Sequence, residues 1–232
     1  MSQDSQAVHQ GTVFKKLLGK YFVRAAGQVF DCSISNRLRK NLIYPIAAPT
    51  DPKRRGKRVQ AVKEISAVDP VAIGDCVSFV EADHGTGVIT DVLPRRNKLA
   101  RPTAELEGKH PQEQVIVANV DQMVAVFPVH PDPKWHMLDR YLAMAEAAAI
   151  PALICLTKLD LADEAESLAT IAEEYGRLGY PTLLTSAVNG TGIAALKEAL
   201  RGKLSAFIGK SGVGKTTLLN AVQPGLGLRV NA

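Results

Sequence analysis

The chain has 232 residues, 46% of them hydrophobic, and a formal net charge of +5. Such a composition supports one or two folded domains with an ample core. No run approaches the roughly 18 apolar residues of a membrane span, the polar stretch Met1–Gln10 lacks the pattern of a signal peptide, and three dispersed cysteines exclude a disulfide framework.

Residues 1–115 hold 18 Lys and Arg against 12 Asp and Glu, whereas the remainder holds 10 against 11. The basic character therefore belongs to the first half, as expected of a nucleic-acid-binding domain. That half is rich in short β-prone runs: Thr12–Leu18, Tyr21–Ala25, Val29–Ser33, Asp75–Glu81 and Gly85–Leu93, each broken by Gly, Asn or Asp. Five strands in about 80 residues point to a small β barrel, with the OB-fold as its natural form, over residues 1–94. The cations that would contact RNA are Arg37, Arg39, Lys40, Arg54, Arg55, Arg95 and Arg96. The run Lys53–Arg58 reads equally well as a solvated loop. It lies in a long Pro- and Lys-rich insertion, residues 41–69, expected to order only on a partner.

A basic, proline-containing linker is expected over residues 95–114. From 115 to 232 the pattern alternates strand and helix, as in an α/β domain with a parallel sheet. Asp121–Val129, Ala152–Leu156, Pro181–Leu184 and Leu204–Ile208 read as strands. Trp135–Ile150 reads as a helix with Leu138, Tyr141, Leu142 and Ala145 inward, Ala162–Leu178 as a second with Leu168, Ile171, Ala172 and Tyr175 inward, and Ile193–Leu200 as a third. Trp135, the only tryptophan, reads as a packing anchor ahead of a base-stacking residue. Cys32, Cys76 and Cys155 each sit in an apolar run and read as reduced core residues. The five histidines are dispersed, and none is assigned to a metal.

Three short stretches carry the chemistry. Gly209-Lys210-Ser211-Gly212-Val213-Gly214-Lys215-Thr216 matches the phosphate-loop pattern in full, with a strand before it and a helix from Thr216 to Val222 after it. Glycines let backbone N–H groups converge on one anion, and the helix N-terminus adds its dipole. Lys215 would reach the β- and γ-phosphates as the catalytic cation, Thr216 would ligate Mg²⁺, and Thr217 closes the loop. Thr157-Lys158-Leu159-Asp160 follows a strand and fits the Asn/Thr-Lys-x-Asp element that reads guanine. Asp160 can accept hydrogen bonds from guanine N1–H and the 2-amino group, whereas adenine leaves it unpaired. Ser186-Ala187 follows the next strand, where a backbone N–H could meet guanine O6. All three stretches close strands on one rim of a parallel sheet, where open α/β sheets bind ligands.

Their order is inverted: base-reading elements come first and the phosphate loop last. A three-dimensional site tolerates such a permutation if the strands keep their places. With the basic barrel, Leu93-Pro-Arg-Arg-Asn-Lys98 and Leu138-Asp-Arg-Tyr-Leu142, this set resembles the circularly permuted bacterial GTPases that depend on the small (30S) ribosomal subunit, the ribosome biogenesis GTPase A type. The resemblance covers nearly the whole chain. It implies an OB barrel followed by a permuted P-loop domain, GTP or GDP with Mg²⁺ as ligands, the 30S subunit and its 16S rRNA as partners, no membrane, a cytoplasmic location and a monomer. It also implies GTP hydrolysis stimulated by the subunit late in its maturation. Thr157 stands where Asn is commoner and still offers an oxygen to the phosphate loop.

Family members continue past a segment like Pro224–Val230 into switch elements, an Asp-x-Pro-Gly motif and a zinc-binding domain. None of these occurs before Ala232, so the expectation is a fragment with weak nucleotide binding, slow hydrolysis and a bare edge at Leu204–Ile208. Two rivals remain at this point: an adenine-nucleotide kinase or ATPase on the same loop, and a non-catalytic RNA-binding module with a vestigial nucleotide site.

Overall fold

The computed structural model describes residues 7–39, 69–82, 85–102, 113–131, 133–162 and 165–225. They fall into two compact units divided between Asn119 and Val120. Lys40, Arg54 and Arg55, with nearly all of the 41–69 insertion, lie outside the described residues.

The first unit opens with β1 (Val8–Leu17), β2 (Lys20–Ala25) and β3 (Gln28–Ile34), then the single helical turn α1 (Asn36–Arg39). After the insertion come β4 (Cys76–Glu81) and β5 (Thr86–Val92). The strands close in the order β1-β2-β3-β5-β4, with β3 and β5 parallel and the other pairs antiparallel. This is the closed five-stranded barrel of an OB-fold. Period-2 alternation sends Val13, Tyr21, Val23, Phe30, Cys32, Val77, Phe79 and Ile89 into a single core. Asp69 fastens the barrel's side: its carboxylate accepts from the Tyr21 hydroxyl at 2.7 Å and from Lys16 at 2.5 Å.

Residues 95–114 do not form a plain linker. Lys98–Pro102 is a strand (β6) paired antiparallel with β7 (Glu113–Ala118), and both belong to the first unit. One buried side chain, Leu99, holds β6 inward. A single apolar residue between basic and proline positions gives too little alternation to announce a strand. Arg95, expected on RNA, instead neutralises the fully buried Asp75. Its Nε and Nη2 donate to the two carboxylate oxygens at 2.7 and 2.8 Å, and Nη2 also reaches the Pro70 carbonyl. Removing one partner of such a pair strands a buried charge, at a cost of about 3–5 kcal/mol.

The second unit is a four-stranded parallel sheet. Its elements run β8 (Gln122–Pro128), α2 (Trp135–Ala147), β9 (Ala152–Thr157), α3 (Ala165–Arg177), β10 (Thr182–Leu184), α4 (Ile193–Leu200), β11 (Ser205–Ile208) and α5 (Lys215–Val222). Spatial order is β10-β9-β8-β11, so the last strand in sequence lies beside the first. Both faces of β8 are covered, which explains its unbroken apolar run. Val124 and Val126 meet Leu196 of α4 and Leu218 of α5. Toward α2, Phe127 meets Tyr141 with ring centroids 5.6 Å apart. Leu138, Leu142 and Ala145 of α2 are buried as their spacing predicts. β11 pairs with β8 alone among the described residues, at the sheet edge.

The turn between α4 and β11 is held by a polar knot. Buried Gln122 donates to the Ala199 carbonyl at 3.0 Å and to Ser205 Oγ at 2.9 Å, and accepts from Lys203 Nζ at 3.2 Å. Asp121 accepts the Leu204 N–H at 2.7 Å while its own N–H donates to the Leu204 carbonyl. These bonds fix where β11 enters the sheet.

Of the three cysteines, Cys32 and Cys155 are buried, but Cys76 is exposed. Cys76 lies on the outward phase of β4, next to the inward Val77. Burial pushes both hidden thiols up to about 11, with Asp31 adding to the rise at Cys32. Thiol titration at pH 8 should therefore label one cysteine in the folded protein, Cys76, and three in denaturant. Rapid labelling of a second thiol would contradict this packing.

Candidate nucleotide-binding site

β11 leads into the phosphate loop through Gly209. A Cβ there would lie 2.5 Å from the Val126 carbonyl oxygen, so the close approach to β8 requires glycine. Gly214 starts α5 with φ of +91°, a left-handed conformation that side chains resist. Between them Val213 is buried in the sheet–helix core and anchors the loop, while Lys210, Ser211 and Gly212 face solvent. Among the described residues, the backbone N–H groups from Gly214 to Thr217 donate to no acceptor. Unsatisfied donors at a helix N-terminus form an anion cradle.

The Lys215 ammonium stands in this cradle, donating to the carbonyls of Gly209 at 2.8 Å and Lys210 at 2.5 Å. Burial lowers its pKa from the ordinary lysine range, and a bound phosphate would restore the charge. The Thr216 hydroxyl makes no hydrogen bond among the described residues. As a hard oxygen beside the phosphate position, it fits Mg²⁺.

β9 delivers the base-reading stretch. Buried Thr157 donates its hydroxyl to the Val213 carbonyl at 2.6 Å, with the Phe127 carbonyl a more distant acceptor at 3.3 Å. This bond ties the end of β9 to the phosphate loop. Lys158 takes the left-handed region, φ +62°, and forms a wall shared by the two cavities that flank the loop. The single 3₁₀ turn Leu159–Leu161 follows, with the Leu159 N–H donating to Thr185 O at 3.1 Å. The β9 and β10 loops are thereby joined.

Asp160 is exposed at the rim and accepts the Ser186 hydroxyl at 2.5 Å. Ser186 is buried, and its oxygen accepts the N–H groups of Val188 and Asn189 at 3.2 and 3.4 Å. With its lone pairs engaged by the backbone, the serine's one proton is directed at the carboxylate. The Ala187 N–H has no acceptor among the described residues. Asp160, Lys158 and Ala187 line a cavity of about 250 Å³ with Leu161 and Val188 as apolar walls. These two side chains are 49% and 82% exposed, unusual for large aliphatics unless a flat apolar ligand covers them. They are candidate site residues that motif matching passed over. The only signal is an aliphatic immediately after Asp160 and another after Ala187. On the far side of Lys158, Phe127, Pro131, Met137 and Ser211 line a second cavity of about 220 Å³.

The three expected stretches therefore converge on one rim, while the expected RNA cations do not form one cluster. Arg39 is exposed, and its guanidinium has no partner among the described residues. Arg37 leans on β5, donating to Thr90 O at 3.0 Å and lying 3.4 Å from Asp91. Arg96 donates to the Asn119 carbonyl at 3.0 Å. Sequence reading missed a different surface on β1 and β2. A bulge between Val13 and Lys15 leaves both Phe14 and Lys15 outside. Arg24 stacks over Phe14 at 4.8 Å and Lys15 over Phe22 at 5.0 Å.

An OB barrel followed by a parallel sheet whose base-side loops precede its phosphate loop defines a circularly permuted P-loop GTPase fold. The RsgA GTPase family model matches residues 92–232. The small ribosomal subunit biogenesis GTPase RsgA of Alkaliphilus metalliredigens is 35% identical over 93% of this chain and 61% of its own length. That of Azotobacter vinelandii is 44% identical over 68% and 46%. The crystal structure of YjeQ from Thermotoga maritima matches with a TM-score of 0.66 and 32% identity, covering 96% of this chain and 68% of the other. YloQ, described as a circularly permuted GTPase, matches with a TM-score of 0.61 and 29% identity over 97% and 67%. The chain belongs to the RsgA GTPase family. It spans about half to three-fifths of the length of the curated relatives it matches.

If Thr157 couples the loops, Thr157→Val, which keeps the shape but leaves the Val213 carbonyl unpaired, should weaken GDP binding about tenfold. Thr157→Asn should restore it. Unchanged affinity by titration calorimetry in the valine variant would show the bond to be dispensable.

Proposed function

We propose that this chain binds GDP and GTP at the rim formed by the ends of β9, β10 and β11. In the proposal it hydrolyses GTP to GDP and phosphate when engaged with the small ribosomal subunit and serves that subunit's maturation in the cytoplasm. The observation that carries the reading is the convergence of Asp160, the Ala187 N–H and the N–H groups of Gly214–Thr217, which have no acceptor among the described residues, on a cavity flanking the phosphate loop. Asp160 would accept from guanine N1–H and the 2-amino group, and Ala187 would donate to O6. Lys215 and the loop N–H groups would hold the β- and γ-phosphates. Mg²⁺, held by Thr216, would neutralise charge on the phosphate oxygens.

Phosphoryl transfer needs a group that orients the attacking water. Among the described residues, the cavity on the Ser211 side of the loop is lined by apolar side chains, lysines and a serine, with no carboxylate or amide. Turnover by this chain alone should accordingly be slow. The basic first half supports contact with 16S rRNA, and the Phe14–Phe22 surface with its stacked cations is suited to exposed bases. No helix among the described residues is long and apolar enough to cross a membrane.

Asp160→Asn should lower GDP affinity at least a hundredfold and raise that for the xanthine nucleotide, because an amide can complement the O2 that replaces the 2-amino group. Equal binding of adenine and guanine nucleotides by the unaltered chain would overturn the assignment. Lys215→Ala should remove detectable GDP binding while RNA binding, read by filter retention, changes less than twofold. Parallel loss of both would refute the division of labour between the two units.

A further inference from the structure

A groove between α2 and α3, separate from both cavities at the phosphate loop, has a composition that none of the chemistry above uses. Trp135 and Tyr175 form its aromatic wall, ring centroids 6.3 Å apart and planes 35° from parallel. The Tyr175 hydroxyl donates to Asp139 at 3.0 Å, Ile171 lines the groove, Glu174 edges it and Leu178, 70% exposed, lies at its open end. The groove encloses about 300 Å³. A second bond, from the Tyr180 hydroxyl to Glu146 at 3.2 Å, also ties α2 to the loop that follows α3. The groove is preformed.

Its charge is one-sided. Lys134 and Arg140, next in sequence to Trp135 and Asp139, are not among the residues that line the groove, and Arg177, three residues beyond Glu174, pairs with Glu173 at 3.4 Å. Among the described residues neither Asp139 nor Glu174 has a cationic partner. Two carboxylates beside two aromatic faces, with no lysine or arginine in the lining, attract a cation with a flat apolar surface and disfavour a phosphate backbone. We infer that this groove receives an arginine side chain presented by an extended segment of a protein partner. The guanidinium would stack on the Trp135 and Tyr175 rings and donate in its plane to Asp139 and Glu174, with the flanking residue of the segment resting on Leu178. Lysine would fit less well, since a strongly hydrated point charge neither stacks nor forks. The carboxylates also exclude RNA and anionic lipid as occupants.

Trp135 is the sole tryptophan, so intrinsic fluorescence reports this groove directly. The full chain would be titrated with a capped peptide of four arginines alternating with glycine, and with its lysine and citrulline counterparts. The arginine peptide should change Trp135 emission saturably and bind about fivefold more tightly than the lysine peptide, with no response to the uncharged citrulline peptide. Glu174→Gln and Asp139→Asn should each weaken the arginine peptide about fivefold while GDP affinity stays within twofold. Glu174 is exposed, so that variant keeps the test open should Asp139→Asn disturb the helix pair. Equal affinity for the arginine and lysine peptides, an unsaturable response, or full binding by Glu174→Gln would overturn the inference. GDP binding is read in the same samples, so failure here is distinguishable from failure of the nucleotide assignment.

Discussion

One hydroxyl connects the two halves of the candidate nucleotide site. Thr157 closes β9, and its proton goes to the carbonyl of Val213 in the phosphate loop. Base recognition and phosphate binding would otherwise be carried by loops more than fifty residues apart. Because Thr157 is buried and Val213 is pinned by the core, the bond is shielded from competing water. The geometry of Asp160 relative to the phosphate cradle is set by that link. The same stretch holds the β10 loop through Leu159 and Thr185, so three loops share one frame. Nothing in this frame depends on the order in which the chain visits it.

Permutation moves the burden elsewhere. In this order α4 must hand the chain to β11, which lies beyond β8 and β9 in the sheet. The handover is made by a short turn, and its accuracy comes from Asp121 and Gln122 at the start of β8. A buried amide that satisfies Ala199, Ser205 and Lys203 is costly to leave unpaired. It therefore specifies register: a one-residue slip of β11 would orphan Gln122 and also displace Gly209 from its close approach to Val126. The polar knot at one end of the sheet and the phosphate loop at the other are thus two ends of one four-residue strand.

What could be read from the sequence follows physical reach. Elements with strong periodicity were legible: the barrel strands with their alternation, α2 with its buried stripe, and the glycine pattern whose dihedral and close-approach demands are local. The Lys-x-Asp stretch was legible because its chemistry lies within four residues. What escaped depends on partners distant in sequence. Arg95 reads as a free cation until Asp75, twenty residues earlier, is brought beside it. Cys76 reads as core because Val77, Phe79 and Val80 follow it, and strand phase alone puts it outside. β6 escaped because its reason to exist is β7, across an intervening stretch. Leu161 and Val188 carry no motif at all. Their meaning is exposure, a quantity that belongs to the fold.

Charge divides the molecule's surfaces by the same logic. The first unit concentrates cations, and two of them lie over outward-facing phenylalanine rings, a combination that suits bases and phosphates together. The second unit is nearly neutral, and on α2 and α3 its carboxylates gather around aromatic rings instead. Aromatic faces are indifferent to the class of partner, since bases and guanidinium groups both stack on them. The flanking charge makes the choice: Lys15 and Arg24 beside Phe22 and Phe14 favour a polyanion, whereas Asp139 and Glu174 beside Trp135 and Tyr175 favour a cation. If the proposed partner is a particle built of both RNA and basic protein, one surface of each kind sorts its two components, because each surface repels the other's ligand.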